Sequence, residues 1–213
     1  MTFHFLAIEG PPGVGKTDVA TRLAQRLDGT TVLEDSSQNP FLQAFHEGRS
    51  GTAFQAEVFF LLSRFRQQQE LVQRKLFSQV TVCDYVFEKS KLYAYLNLED
   101  NELLIYEKLY SLLLESIPQP ELVVYLQAPA DVLNRRMRAS GRTDEQLLSE
   151  EYLKELKRAY DHYFFHYTRT PLLVVNTAEL DFAARPEELD DLLKQISSMG
   201  KGTQYYVPLT ARR

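Results

Sequence analysis

"FLAIEGPPGVGKTDVATRLAQRL", residues 5–27, decides the fold. Its first four residues are apolar in succession and the fifth is an acid, which reads as a strand buried on both faces. Gly10-x4-Gly15-Lys16-Thr17 follows at once and opens directly into a helix. Strand, glycine loop and helix in that order form the context that gives a Walker A pattern its meaning, and a chance glycine turn would lack it. The glycines let successive backbone N–H groups face phosphate oxygens with no Cβ in the way. The helix starting near Gly15 adds the positive end of its dipole. Gly10, Pro11, Pro12, Gly13, Val14, Gly15, Lys16 and Thr17 are therefore expected to cradle the triphosphate of ATP or of another nucleotide. Lys16 would reach the β- and γ-phosphates and Thr17 would ligate Mg²⁺. The loop says nothing of the group that receives the phosphoryl.

Working outward, short apolar runs recur at 30–34, 79–84, 121–127 and 171–177, with helical patterns between them. In 151–167, Leu153, Leu156, Tyr160, Phe164 and Tyr167 repeat every three or four residues. The alternation predicts an α/β fold with a five-stranded parallel sheet and helices on both faces, and the glycine loop after the first strand makes it a P-loop fold. At 213 residues the chain suits a single domain, taken as 1–197, followed by a surface tail at 198–213.

The net charge of −5 argues against a broad nucleic-acid surface. No run reaches membrane-spanning length, and the N-terminus reads as a first strand rather than a signal peptide. One cysteine, Cys83, sits in the apolar run "QVTVCD" and reads as a small core residue in a reducing compartment. The expected location is the cytoplasm.

Two later strands end in an acid, Glu34 (followed by Asp35) and Asp84. In an open parallel sheet, ligands bind beyond the carboxyl ends of the strands. Phosphoryl transfer needs one carboxylate near the attacking hydroxyl and another near the metal, although acids also cap helices. "LNRRMRASGRTDEQ" places Arg135, Arg136, Arg138 and Arg142 within eight residues, closing on Glu145. Guanidinium forks suit phosphoryl oxygens. Beside a Walker A loop, a lid is favoured over a solvated helix end.

"NPFLQAF", "AFQAEVFFLLSRFRQQQEL", "LVVYLQAPADVL", "GRTDEQ" with "EYLKELKRAY", and "PLLVVNTAELDF" together resemble the bacterial deoxynucleoside kinases of deoxyadenosine/deoxyguanosine type, from about residue 3 to about 196. The resemblance implies a homodimeric enzyme that phosphorylates the 5′-hydroxyl of a deoxynucleoside, a purine one by its type, with ATP and Mg²⁺. It makes Asp84 the base, Glu34 a contact of the 5′-hydroxyl and metal shell, and Arg136 and Arg142 lid arginines. It makes Glu145 a reader of the sugar 3′-hydroxyl, Arg64 a neighbour of the base, and Asp181 with Phe182 the loop passing the adenine of ATP.

Four positions depart from that pattern. Tyr85 stands where many relatives have arginine, so a phosphate-facing cation is missing or supplied by a neighbour. Ser140 replaces a lid arginine, for which Arg138 is the substitute on the ATP side. His46 replaces a tyrosine at the sugar. Glu57 replaces the base-reading glutamine, and Gln55 lies about 200° away around the helix. An ionised glutamate only accepts hydrogen bonds, which suits the two donors of guanine and tilts the site towards deoxyguanosine. Alternatively Glu57 pairs with Arg64 across two turns. A monophosphate kinase of thymidylate type is the second reading, disfavoured because the long helix offers one central arginine, Arg64, with Arg66 on another face. A P-loop regulatory ATPase is the third.

Overall fold

The computed structural model describes residues 3–74, 80–141 and 148–207, with side chains omitted at 72–74. Arg142 and Glu145 lie outside the described residues. In chain order the elements are β1 Phe5–Glu9, α1 Lys16–Arg26, β2 Thr30–Val32, α2 Leu42–His46, α3 Thr52–Arg74, β3 Thr81–Cys83, α4 Lys89–Asn97, α5 Asp100–Leu114 and β4 Leu122–Gln127. There follow α6 Ala130–Ser140, α7 Glu150–Phe165, β5 Leu172–Asn176, α8 Pro186–Ser198 and β6 Thr203–Tyr206.

The strands form one sheet in the order β2-β3-β1-β4-β5-β6, every pairing parallel. Side chains alternate between its faces, as the two-residue period of a strand requires. Leu6, Ile8, Leu122, Val124, Leu126, Leu173 and Val175 pack in one layer with α1, α6 and α8. Ala7, Val123, Tyr125, Leu172 and Val174 face the opposite layer, where Leu156, Tyr160 and Phe164 of α7 meet Leu92, Tyr93 and Leu96 of α4. Both faces being covered explains why the strands are continuously apolar rather than alternating. A third cluster joins Leu61 of α3, Ala94 of α4 and Tyr106 and Tyr110 of α5.

The sheet has six strands, not the five expected. The sixth comes from within the stretch read as a tail: Thr203–Tyr206 pairs with β5 in the register Leu172↔Thr203 to Val175↔Tyr206. Its first three residues are exposed and only Tyr206 is partly covered. An edge strand held by backbone hydrogen bonds lacks the apolar run by which the other five are legible. Cys83 is buried in the β2–β3 region with Val32, Tyr85 and Leu71, as read from its run. Burial pushes its thiol well up, so it is inert.

Candidate active site

The loop after β1 holds three glycines at positive φ, and at two of them a side chain has no room. Gly10 lies at φ 155°, and a Cβ there would stand 2.3 Å from the Leu126 carbonyl oxygen. Gly13 lies at φ 76°, and its Cβ would stand 2.6 Å from the Leu133 oxygen of α6. Gly15, the N-cap of α1 at φ 95°, differs: a Cβ there meets nothing within 4 Å. The loop is thus packed from behind and open in front, at a helix N-terminus suited to an anion. Lys16 donates to the Pro11 carbonyl at 3.2 Å, folding its side chain back across the loop.

Asp84, 3% exposed beyond the end of β3, ties this loop to the strand rim. Its Oδ2 accepts from the Thr17 hydroxyl at 2.6 Å and its Oδ1 from the Glu34 amide at 2.8 Å. Two carboxylate-rich strand ends are thereby brought against the residue expected to ligate a metal. Glu34 itself is clamped: Arg64 Nε donates to Oε1 at 2.5 Å and Lys89 Nζ to Oε2 at 2.5 Å. Burial alone would raise its carboxyl, but Arg64 and Lys89 outweigh it and hold the group far below the ordinary carboxylate range. Arg64 also donates to Ser90 Oγ at 2.8 Å and lies 5.2 Å above the Phe60 ring.

Arg64 thus lines the cavity with its fork committed to Glu34 and Ser90. The pairing of Glu57 with Arg64, left open above, is not among the hydrogen bonds of the described residues. Instead Glu57 Oε1 accepts from Asn97 Nδ2 at 2.7 Å. Burial pushes the Glu57 carboxyl up to about 7, with Asn97 and Arg64 offsetting part of the rise. Tyr85, standing where a cation was missed, is fully buried and donates to Gln67 Oε1 at 2.8 Å.

One cavity of about 440 Å³ joins these parts. Its lining includes Lys16, Thr17 and Asp84 together with Phe45, His46, Glu57, Phe60, Tyr93 and Tyr152. Arg136 borders it and also a second depression of about 300 Å³ beside Val14, Gly15, Asp181 and Phe182. Its guanidinium donates to the carbonyls of Thr177 at 2.7 Å and Leu180 at 3.0 Å, which fastens α6 to the loop after β5. Within that loop Phe182 is buried in the core, while Asp181 is exposed and accepts from the amides of Ala183 and Ala184. Arg138 is not brought to the loop: it is exposed and pairs with Glu150 at 2.9 Å.

Two residues of the site escaped the reading of the sequence. Lys89 is a buried cation on Glu34, but a lysine in "FEKSK" carries no mark distinguishing it from a solvated one. Glu9 was legible, since β1 ends in an acid just as the other two strands do. It is fully buried and accepts from the amides of Gly10 at 2.8 Å and Val86 at 2.9 Å, and from the Tyr160 hydroxyl at 3.2 Å. Burial raises its carboxyl against the pull of Lys89, Lys16 and the two amides. One carboxylate thus pins the phosphate loop to the segment that carries Asp84.

The donor set beside the loop suits Mg²⁺, a hard cation that takes one or two protein oxygens and completes its shell with phosphates and water. Thr17 Oγ1 and Asp84 Oδ2 meet that description. Glu34, with a cation on each oxygen, fits it less well. Among the described residues no cluster of three or more His, Cys, Asp or Glu forms a closed metal cage.

A sequence model described as deoxynucleoside kinase matches residues 6–200. The deoxyguanosine kinase of Bacillus subtilis is 34% identical over 161 residues, covering 75% of this chain and 78% of that protein. The deoxyadenosine kinase of Dictyostelium discoideum is 30% identical over 195 residues, covering 89% and 77%. Among solved structures, deoxyadenosine kinase from M. mycoides with bound dATP aligns with a TM-score of 0.76 at 22% identity, over 92% of this chain and all of that one. The last is a likeness of fold.

Proposed function

The chain belongs to the deoxynucleoside kinase family, and on that premise we propose that it transfers the γ-phosphate of ATP to the 5′-hydroxyl of a purine deoxynucleoside. The observation that carries the reading is a cavity lined both by the phosphate loop with Asp84 and by aromatic side chains with Glu57. Curated relatives described as deoxyguanosine and deoxyadenosine kinases support a purine.

In the proposed reaction the 5′-oxygen attacks the γ-phosphorus, the bond to the β-phosphate oxygen breaks, and ADP leaves. Asp84 takes the proton of the hydroxyl, and Lys16 stays on the β- and γ-phosphates. Mg²⁺, held by Thr17 with Asp84 or Glu34 in its shell, would neutralise charge on the transferring group when bound. Arg136 leaves its two carbonyls to face the phosphates. Arg142 is proposed to join it, Glu145 and His46 to hold the sugar, and Asp181 and Phe182 to flank the adenine of ATP. Arg138 would have to leave Glu150 to act on ATP.

A monophosphate acceptor would need further cations. Arg66 does not supply one, being exposed and paired with Glu70 on another face of α3. The proposal extends to a homodimer, a cytoplasmic site of action and a role in nucleotide salvage. No described helix is long and apolar enough to cross a membrane. The kinase domain is proposed to run through Tyr206, since β6 completes the sheet.

An ADP-release assay against deoxynucleosides and deoxynucleoside monophosphates in parallel tests the reading. Turnover with purine deoxynucleosides is expected. Turnover with monophosphates alone, or equal turnover without any acceptor, would overturn it.

A further inference from the structure

This inference rests on the kinase reading above and concerns the far end of the same cavity. Glu57 is 3% exposed, and its two oxygens are in unlike positions. Oε1 takes the Asn97 amide, while Oε2 is buried with no hydrogen-bond partner in the protein. Asn97 is itself held, because the Tyr152 hydroxyl donates to its Oδ1 at 3.0 Å. With its oxygen used by Tyr152, Asn97 turns its NH₂ to Glu57, and a chain of three side chains from α7, α4 and α3 leaves one carboxyl oxygen over for a ligand.

That oxygen lies where the far edge of a nucleoside would be. Glu57 precedes Arg64 by seven residues, two turns or about 10 Å along α3. Arg64 is bonded to Glu34, whose amide is bonded to Asp84. Phe45, Ala56, Glu57 and Phe60 line the same cavity as Asp84, so a nucleoside with its hydroxyl at Asp84 and its length along α3 would meet them with its base.

An unpartnered carboxylate oxygen among apolar groups is costly unless a ligand donates to it or a proton binds it. The charged and titratable groups around Glu57 do not abolish that choice. Arg64 of its own helix and Lys89 of α4 are both engaged by Glu34, and Glu34 itself opposes ionisation. Tyr93 of α4, Tyr106 of α5 and Tyr152 of α7 are neutral phenols, all pushed up by burial. With burial pushing the Glu57 carboxyl up to about 7, both of its forms are populated near neutrality.

We propose that Glu57 selects the purine through its own proton: ionised, Oε2 accepts from N1–H and N2–H₂ of guanine; neutral, it donates to N1 of adenine. Asn97 and Tyr152 are positioning residues that keep Oε2 turned to the base. Neither base changes its own protonation near neutrality, so the change belongs to the protein.

The test is kcat/KM for deoxyguanosine and deoxyadenosine from about pH 6 to about pH 8. The ratio of the two cancels every pH effect on the steps they share. The ionised fraction of a group titrating near neutrality rises from about a tenth to about nine tenths across that range. The neutral fraction falls by the same factor, so the deoxyguanosine-to-deoxyadenosine ratio should rise by up to about a hundredfold in the wild type. In Glu57→Gln it should be flat and shifted towards deoxyadenosine. Tyr152→Phe, which releases Asn97, should blunt the slope, a readout that a purely structural tyrosine would not move.

Deoxyinosine, which keeps N1–H and lacks the 2-amino group, should follow the deoxyguanosine profile, and this arm needs no variant to fold. A flat wild-type ratio, a Glu57→Gln enzyme with the wild-type slope, or deoxyinosine following deoxyadenosine would each overturn the proposal. Absence of turnover with every purine deoxynucleoside at every pH would overturn the kinase reading beneath it.

Discussion

Two glutamates in one cavity sit in opposite electrostatic states, and the difference lies in their partners. Glu34 has a cation on each oxygen, whereas Glu57 has an amide on one and nothing on the other. For Glu57 the native state keeps its proton up to about 7, while the unfolded chain releases it in the ordinary carboxylate range. The native state thus binds more protons between those values, so stability falls as pH rises through that window. The loss reaches about 3 kcal/mol from a rise of this size. Glu57→Gln should melt progressively higher than wild type as pH is raised from about 5 to about 8, with little difference below, and thermal melts across that series check it. Glu34 has the reverse sign: its depressed carboxyl stabilises the fold above the ordinary carboxylate range and ceases to do so on acidification. Lys89→Met, which leaves a buried carboxylate with one cation fewer, should cost about 2–3 kcal/mol near neutrality. Denaturant titrations should show that deficit shrinking as acid protonates Glu34.

At the scale of the element, the phosphate loop divides its glycines between two duties. Gly13 is held against α6, and an added Cβ would meet the Leu133 oxygen at 2.6 Å and Met137 Cγ at 2.7 Å. Gly13→Ala should therefore destabilise the protein itself, by about 1–3 kcal/mol, through both the clash and the positive φ. At Gly15 a methyl group has open space, so the cost is confined to backbone strain at φ 95°. Gly15→Ala places that methyl where a phosphate would lie. It should therefore keep more of the melting temperature than Gly13→Ala yet lose most of the rise produced by ATP, and melts with and without ATP separate the two. The pattern of glycines was readable in the chain, but this division of labour was not, because it depends on what α6 places behind the loop. The acids show the same boundary. Asp84 and Glu34 were visible as strand endings, and Glu9 by the same sign. Lys89 needed the third dimension: only the fold turns the first residue of α4 towards a carboxylate 55 positions earlier. Five strands announced themselves as apolar runs because two layers of helix bury them. β6 did not, since its backbone rather than its side chains holds it at the edge.

At the scale of the whole molecule, helix α3 connects the cavity with a surface that a lone protomer leaves wet. Glu57 and Arg64 point inward from it, while Leu62 on its other side is 49% exposed. Neighbouring α5, packed on α3 through the cluster of Leu61, Tyr106 and Tyr110, exposes Leu104, Ile105 and Leu112 by 55–72%. Aliphatic side chains so placed contribute about 1.5–3 kcal/mol each when fully covered. A two-fold interface uses every such residue twice, so four of them per protomer supply eight anchors. The proposed homodimer accounts for this face, and sedimentation at micromolar concentration should give twice the 24.7 kDa of the chain. Leu104→Lys with Leu112→Lys places charges on this exposed face and should yield a folded monomer. Because α3 lies between that face and the cavity, the monomer should also bind deoxynucleoside more weakly while the phosphate loop still takes ATP. A wild-type chain that sediments at 24.7 kDa under those conditions, or a double variant that remains dimeric, would remove the interface from this face.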